Sequence, residues 1–202
     1  MKKRYITAGI LLLTALTLAL CAFSQRSQQR LAEKLIRLHV VANSDEPDDQ
    51  AVKLLVRDAV LQEASRALQD AADPEAALLS ALPALTRAAN ETLFSQGSSD
   101  TADVSLRREL FPTRDYDTFR LPAGVYRSLR VTIGKGEGHN WWCVVFPALC
   151  LPASSEELTE ACFAAGLTEG EVAVLTQDTE TVELEFKTLE LLSKLKKIIW
   201  DA

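Results

Sequence analysis

The sequence predicts an α/β fold, specifically an α+β sandwich with one small mixed or antiparallel sheet, helices on one face, and a C-terminal helical segment. Three observations lead there. Four short stretches, 35–42, 103–110, 125–133 and 140–146, are rich in apolar and β-branched residues, and turn formers lie between them. Two stretches with near-helical apolar spacing, after Asp45 and after Asp73, fill the gap between the first strand and the second. A glycine-rich run, Gly134-Lys135-Gly136-Glu137-Gly138, joins the last two strands as a hairpin turn.

At the N-terminus, Met1-Lys2-Lys3-Arg4 precedes an apolar run from Ile6 to Phe23, the layout of a secretory signal. Ala22 and Ser24 are small residues at the −3 and −1 positions of a cut before Gln25. The run also approaches the ~18 residues at which a membrane-spanning helix becomes feasible, so an uncleaved anchor competes with a cleaved signal. Leu20 before Cys21 argues against a lipoprotein site. The expected organisation is therefore a signal or anchor over 1–24, an α/β domain over 25–151, and a satellite helical segment over 152–202.

Within the domain, Leu35 to Ala42 reads as a strand ended by Asn43-Ser44-Asp45. The next helix is expected to be capped by Ser44 or Asp45, with Asp48 and Asp49 at its positive end and Leu54, Leu55, Asp58, Leu61 and Leu68 at near-helical spacing. Asp73-Pro74 starts another helix, which Pro83 is expected to divide, leaving Leu85, Ala88, Ala89, Thr92 and Leu93 facing inward on the later piece. Beyond Pro152, Ser155–Ala164 and Leu184–Trp200 read as helices.

Charge narrows the choice of partner. The chain carries a net charge of −6, and removal of residues 1–24 takes away Lys2, Lys3 and Arg4 and no acid, leaving −9. Such a balance argues against nucleic acid. A hydrophobic content of 48% is enough for a real core. Past the signal, the cysteines are Cys143, Cys150 and Cys162, which in an oxidising exterior allow one pair and one leftover.

No catalytic constellation emerges. His139 and Cys143 share a face of one strand but lie four residues apart, about 13 Å at ~3.3 Å per residue, too far for a nucleophile and its base. His39 could serve Cys143 only through a tertiary contact. With two histidines and no closely spaced cysteine pair, no metal site is expected, and neither a cofactor nor a small-molecule substrate. The glycine run lacks the Ser or Thr and the helix of a phosphate cradle.

Sheet alternation points instead to binding. Ile36, Leu38 and Val40 oppose Arg37 and His39; Val104, Leu106 and Leu110 oppose Ser105, Arg107 and Glu109; Leu129, Val131 and Ile133 oppose Ser128, Arg130 and Thr132. One face is apolar and the other charged, unless the C-terminal helices cover it. A hairpin pairing Ile133 with His139 would put Trp141 in the core and Trp142 beside Arg130, with Arg37, His39 and Arg107 near it. Trp142, Arg130, Arg37, His39 and Arg107 are thus the expected partner-binding residues, since a tryptophan among arginines makes a good interface anchor.

Ile36-Arg37-Leu38-His39-Val40-Val41-Ala42-Asn43-Ser44-Asp45, Val56-Arg57-Asp58-Ala59-Val60, and the block Phe111 to Cys150 with FPTRDY, LPAG, Tyr126 and LRVTIGKGEGHNWWCVVFPALC occur in one order. Together they resemble the stage II sporulation protein R family over most of 35–151, although Asp117 stands where a glycine is usual and Ala148 where a second proline is. The resemblance implies a protein made in the forespore and secreted across the forespore membrane into the intermembrane space. There it would trigger a membrane-embedded aspartic protease of the mother cell, which cleaves the sigma-E precursor. The alternative is an extracytoplasmic cell-wall enzyme or sugar-binding protein, for which an exposed tryptophan would also be useful. Cys143 and Cys150 are expected to pair if the compartment is oxidising, because Pro147 between them can fold the chain back; reduced, Cys143 would pack as a small hydrophobe.

Overall fold

The computed structural model describes residues 2–150 and 154–176, with several side chains before Gln28 outside that description. In chain order the elements are α1 (Lys2–Lys34), β1 (Ile36–Val41), α2 (Pro47–Leu68), α3 (Pro74–Ser95), β2 (Ala102–Phe111), β3 (Arg114–Asp115), β4 (Arg120–Leu121), β5 (Gly124–Ile133), β6 (Asn140–Phe146), α4 (Ser155–Ala164) and α5 (Glu169–Thr176). The fold is α+β. A four-stranded mixed sheet has the order β2-β5-β1-β6, and β3 and β4 form a small separate ladder.

Of the two helices that follow β1, α2 starts differently from expectation and α3 starts at Asp73-Pro74 as expected. Pro47 takes the first position of α2, where its missing N–H is no loss, and the cap position is Glu46 rather than Ser44 or Asp45. Ser44 and Asn43 instead donate to the Asp49 carboxylate, at 2.6 and 2.9 Å, which holds its pKa below the usual carboxylate range. The buried face of α2 is Lys53, Val56, Val60 and Ala64, whereas Leu54 and Leu55 are exposed. Successive helical residues point about 100° apart, so one of three neighbours can face the sheet, and packing selects Val56. Asp73 caps α3 by accepting from the backbone of Glu75 and Ala76. Pro83 does not divide α3: it sits on the exposed side of one continuous helix whose Leu78, Leu85, Ala89 and Leu93 are buried. That packing offsets the hydrogen bond a proline removes.

The expected β5–β6 hairpin is absent. β5 pairs with β1 in parallel and β6 pairs with the other side of β1 antiparallel, so β1 lies between them. The glycine run crosses the end of β1 instead, where Gly138 N–H donates to Ala42 O, Glu137 N–H to Asn43 O and Lys135 N–H to Asn43 Oδ1. The approach is close. A Cβ on Gly138 would lie 2.2 Å from Ser44 O, and Gly134 and Gly136 have positive φ.

The sheet is covered on both faces, the C-terminal helices taking the second as the alternative reading of its strands allowed. α2 and α3 pack on Ile36, Leu38, Val40, Val104, Leu129, Val131, Ile133, Cys143 and Val145. On the other face a second core joins Leu31 and Ala32 of α1, Leu35, Phe111, Tyr126, Val144 and Leu149 to Leu158 and Cys162 of α4 and Val172 and Leu175 of α5. Residues 154–176 are thus built into that core. Lys34 Nζ ties α1 to this layer by donating to Gly166 O and Glu171 Oε2, at 2.9 and 2.7 Å. The predicted helix over Leu184–Trp200 lies outside the described residues. Residues 2–24 form the first part of α1, which runs on to Lys34 without a break. Among the described residues no helix is long and apolar enough to cross a membrane, and the run 6–23 lies largely outside the described side chains.

Candidate partner-binding face

The five predicted site residues do fall on one face of the sheet, because side-chain alternation holds whichever strands are neighbours. β1 carries Arg37 and His39, β2 carries Arg107, β5 carries Arg130 and β6 carries Trp142, with His39 opposite both Arg130 and Trp142. Their environments differ. Arg37 is fully buried, His39 is 9% exposed, Arg130 and Trp142 are half-buried, and Arg107 is exposed.

Glu109 organises the centre. Its Oε1 accepts from Arg130 Nη1 at 2.9 Å and lies 3.3 Å from Arg107 Nη2; its Oε2 lies 3.1 Å from His39 Nδ1. On the far side, His39 Nε2 lies 2.8 Å from Asn140 Oδ1. One buried imidazole therefore links β2, β5 and β6 through β1. Burial alone would raise the Glu109 pKa, but the hydrogen bonds of His39 and Arg130 prevail and hold it down at about 2. Above that pH the carboxylate is charged and paired with the cations around it.

Arg37 does not join this network. Its guanidinium lies 4.0 Å from the Phe111 ring centroid and 5.1 Å from that of Tyr126, and Nη2 donates to Tyr116 Oη at 3.0 Å. Burial pushes its pKa down, while the two tyrosines counter it. It is an arginine of the second core, which removes it from the predicted contact surface. The same burial pushes the Tyr126 phenol up, and its hydroxyl donates to Pro122 O at 2.7 Å.

Trp142 is partly shielded. The His39 ring is 5.8 Å from it, and the arginine over its indole is Arg114 of β3 at 5.0 Å, not Arg130. Trp141, expected in the core, is half-buried on the opposite face with Arg57 at 4.4 Å. Sequence reasoning missed Glu109, Asn140 and Arg114 as site residues. Alternation places Glu109 on the charged face, but its bonds to β5 and β1 follow only from strand order.

Among the described side chains, cysteine chemistry is closed off. Cys143 and Cys150 form a disulfide with a Cα–Cα distance of 5.2 Å, and Cys162 is buried, its thiol pushed up by burial. Among the described residues no group of three His, Cys, Asp or Glu side chains is placed to hold a metal.

These features define a disulfide-linked α+β domain with a half-open polar face rimmed by arginine and tryptophan. The chain belongs to the stage II sporulation protein R family, whose model matches residues 32–156. It is similar to the stage II sporulation protein R of Bacillus subtilis (strain 168), with 37% identity over 133 residues, 63% of this chain. The match takes in 59% of the length of that relative. No solved structure matches. Membership supports a role in sporulation, and the family name is not that of an enzyme.

Proposed function

We propose that this chain is an exported signalling protein of endospore formation. Its N-terminal segment carries it across the forespore membrane. In the intermembrane space it binds and activates a membrane-embedded aspartic protease of the mother cell, which then processes the sigma-E precursor. It acts as a ligand and not as an enzyme.

The observation that carries this reading is the family match over 32–156, a span that contains the whole sheet and every residue of the polar face. Three features support it. The disulfide suits an oxidising exterior. The described cysteines offer no reactive thiol, since one is buried and two are bonded. The half-buried Trp142 with Arg114 and Arg130 on one face has the composition of an interface anchor.

The test is co-expression of the chain, the protease and the sigma-factor precursor in a non-sporulating host, with cleavage followed by blotting. Cleavage that requires the chain is expected. A chain that lacks residues 1–24 and stays in the cytoplasm should be inactive, and cleavage by that form would refute the export step.

A further inference from the structure

β2 is an edge of the four-stranded sheet: β5 pairs with one side of it, and no described strand pairs with the other. In an antiparallel ladder, successive residues turn both backbone groups alternately toward the partner strand and away from it. Two contacts at the start of β2 set the phase. Thr101 O accepts from Gly134 N–H at 2.9 Å, so odd-numbered residues face β5. Ala102 faces outward, where the Asn90 side-chain amide bonds its N–H and C=O, each at 2.9 Å. Val104, Leu106, Arg108 and Leu110 therefore also aim N–H and C=O outward, and no described group bonds to them.

Charge guards this edge in part, with Asp103, Arg107 and Arg108 exposed along it, but other protective devices are missing. Natural edges are shortened, bulged or interrupted by proline, whereas β2 runs ten residues without a proline. Its far end is apolar and open: Leu110 is 54% exposed, and its cross-strand neighbour Val125 is 53% exposed. Arg107 and Arg108 are both exposed on a chain whose net charge is −6. A second copy laid antiparallel on this edge, in the register that brings Leu106 against Leu110, sets Arg108 against Arg108.

We propose that the outer edge of β2 from Val104 to Leu110 takes an extended, acidic segment of a partner protein as a fifth, antiparallel strand. Its pattern, from the residue opposite Leu110 to the one opposite Leu106, is apolar, polar, acidic, acidic, apolar. The two acids meet Arg108 and Arg107, and the apolar residues lie beside Leu110 and Leu106. The inference rests on the reading of the chain as a protein ligand and adds where a partner's backbone attaches.

The probe is a synthetic peptide, TTVTEEVTT, added to the full chain, with TTVTKKVTT as control. Backbone amide exchange at Val104, Leu106, Arg108 and Leu110 should slow by about tenfold or more with the first peptide and not the second. The amides of Arg107 and Glu109, already bonded to β5, should not change. Arg108→Pro removes one outward N–H and spares the β2–β5 ladder, so it should abolish the protection without lowering Tm. Arg108→Glu should reverse the preference between the peptides. Unchanged exchange with millimolar TTVTEEVTT overturns the proposal, as does protection that grows with protein concentration in the absence of peptide, which would assign the edge to a second copy. Protection by the peptide together with a wild-type chain that fails to trigger precursor cleavage would refute the signalling role and leave the edge site standing.

Discussion

Replacing Glu109 by Gln tests the polar face through its central member. Gln keeps the shape of the side chain and mimics the protonated carboxyl, so the substitution removes the charge that His39 and Arg130 hold. Glu109 titrates at about 2 in the fold, against an ordinary 4.5. At about 1.36 kcal/mol per pH unit, the gap corresponds to roughly 3 kcal/mol of folding stability at pH 7. The side chain is 16% exposed, so solvent screening takes only a small part of this. Because the folded-state pKa is depressed, the contribution is complete above the unfolded pKa and is lost as pH falls from 4.5 toward 2. By pH 3 about half of it remains, on the same linkage. Urea unfolding of the wild type and Glu109→Gln at pH 7 and pH 3 should therefore show a gap of roughly 3 kcal/mol that shrinks to about half, and at pH 7 a Tm lower by about 6–12 °C. A variant within about 0.5 kcal/mol of wild type at pH 7, or a gap that does not depend on pH, would refute the account of Glu109 as a paired, buried carboxylate.

Trp142→Ala should abolish protease activation and also cost about 2 kcal/mol of stability, because the ring is half-buried against the second core. Trp141→Ala should cost a similar amount and leave activation intact, in the cleavage assay alongside thermal melts. Replacing Cys143 and Cys150 together by Ala should lower stability by about 2–3 kcal/mol, as expected for a crosslink closing so short a loop. Dithiothreitol should lower the wild type by a similar amount and leave the double variant unchanged, in matched denaturant titrations.

Much of the secondary structure is legible in the sequence because its signals are local. Three of the four strands predicted over 35–42, 103–110 and 125–133 differ from β1, β2 and β5 only by a residue at either end, and Asn140–Phe146 matches β6. Asp73 caps its helix as its chemistry requires. The errors occur where packing overrides a local preference. Pro83 stays inside α3 because the helix is anchored on both sides of it, and α2 turns Val56 inward in place of the larger Leu54 and Leu55. The glycine run reads as a hairpin because glycine reports that the chain must pass close to something, not what it passes; here it passes the end of β1.

The candidate face divides in the same way. Period-two alternation is a property of each strand alone, so the sequence by itself determines that Arg37 and His39 oppose Leu38, that Arg107 and Glu109 oppose Leu106, that Arg130 opposes Val131 and that Trp142 opposes Cys143. It also determines, through residues spread across 32–156, the family to which the chain belongs. Strand order and the covering of each face are decided by tertiary structure, because they depend on which distant segments bury their apolar surface together. Placing β1 between β5 and β6 sets His39 between Arg130 and Trp142, and the docking of α1, α4 and α5 buries Arg37 while leaving Arg107 in solvent. Arg37 and Arg107 have the same side chain and lie on the same face; the depth of the layer packed over each makes one a core residue and the other a surface one.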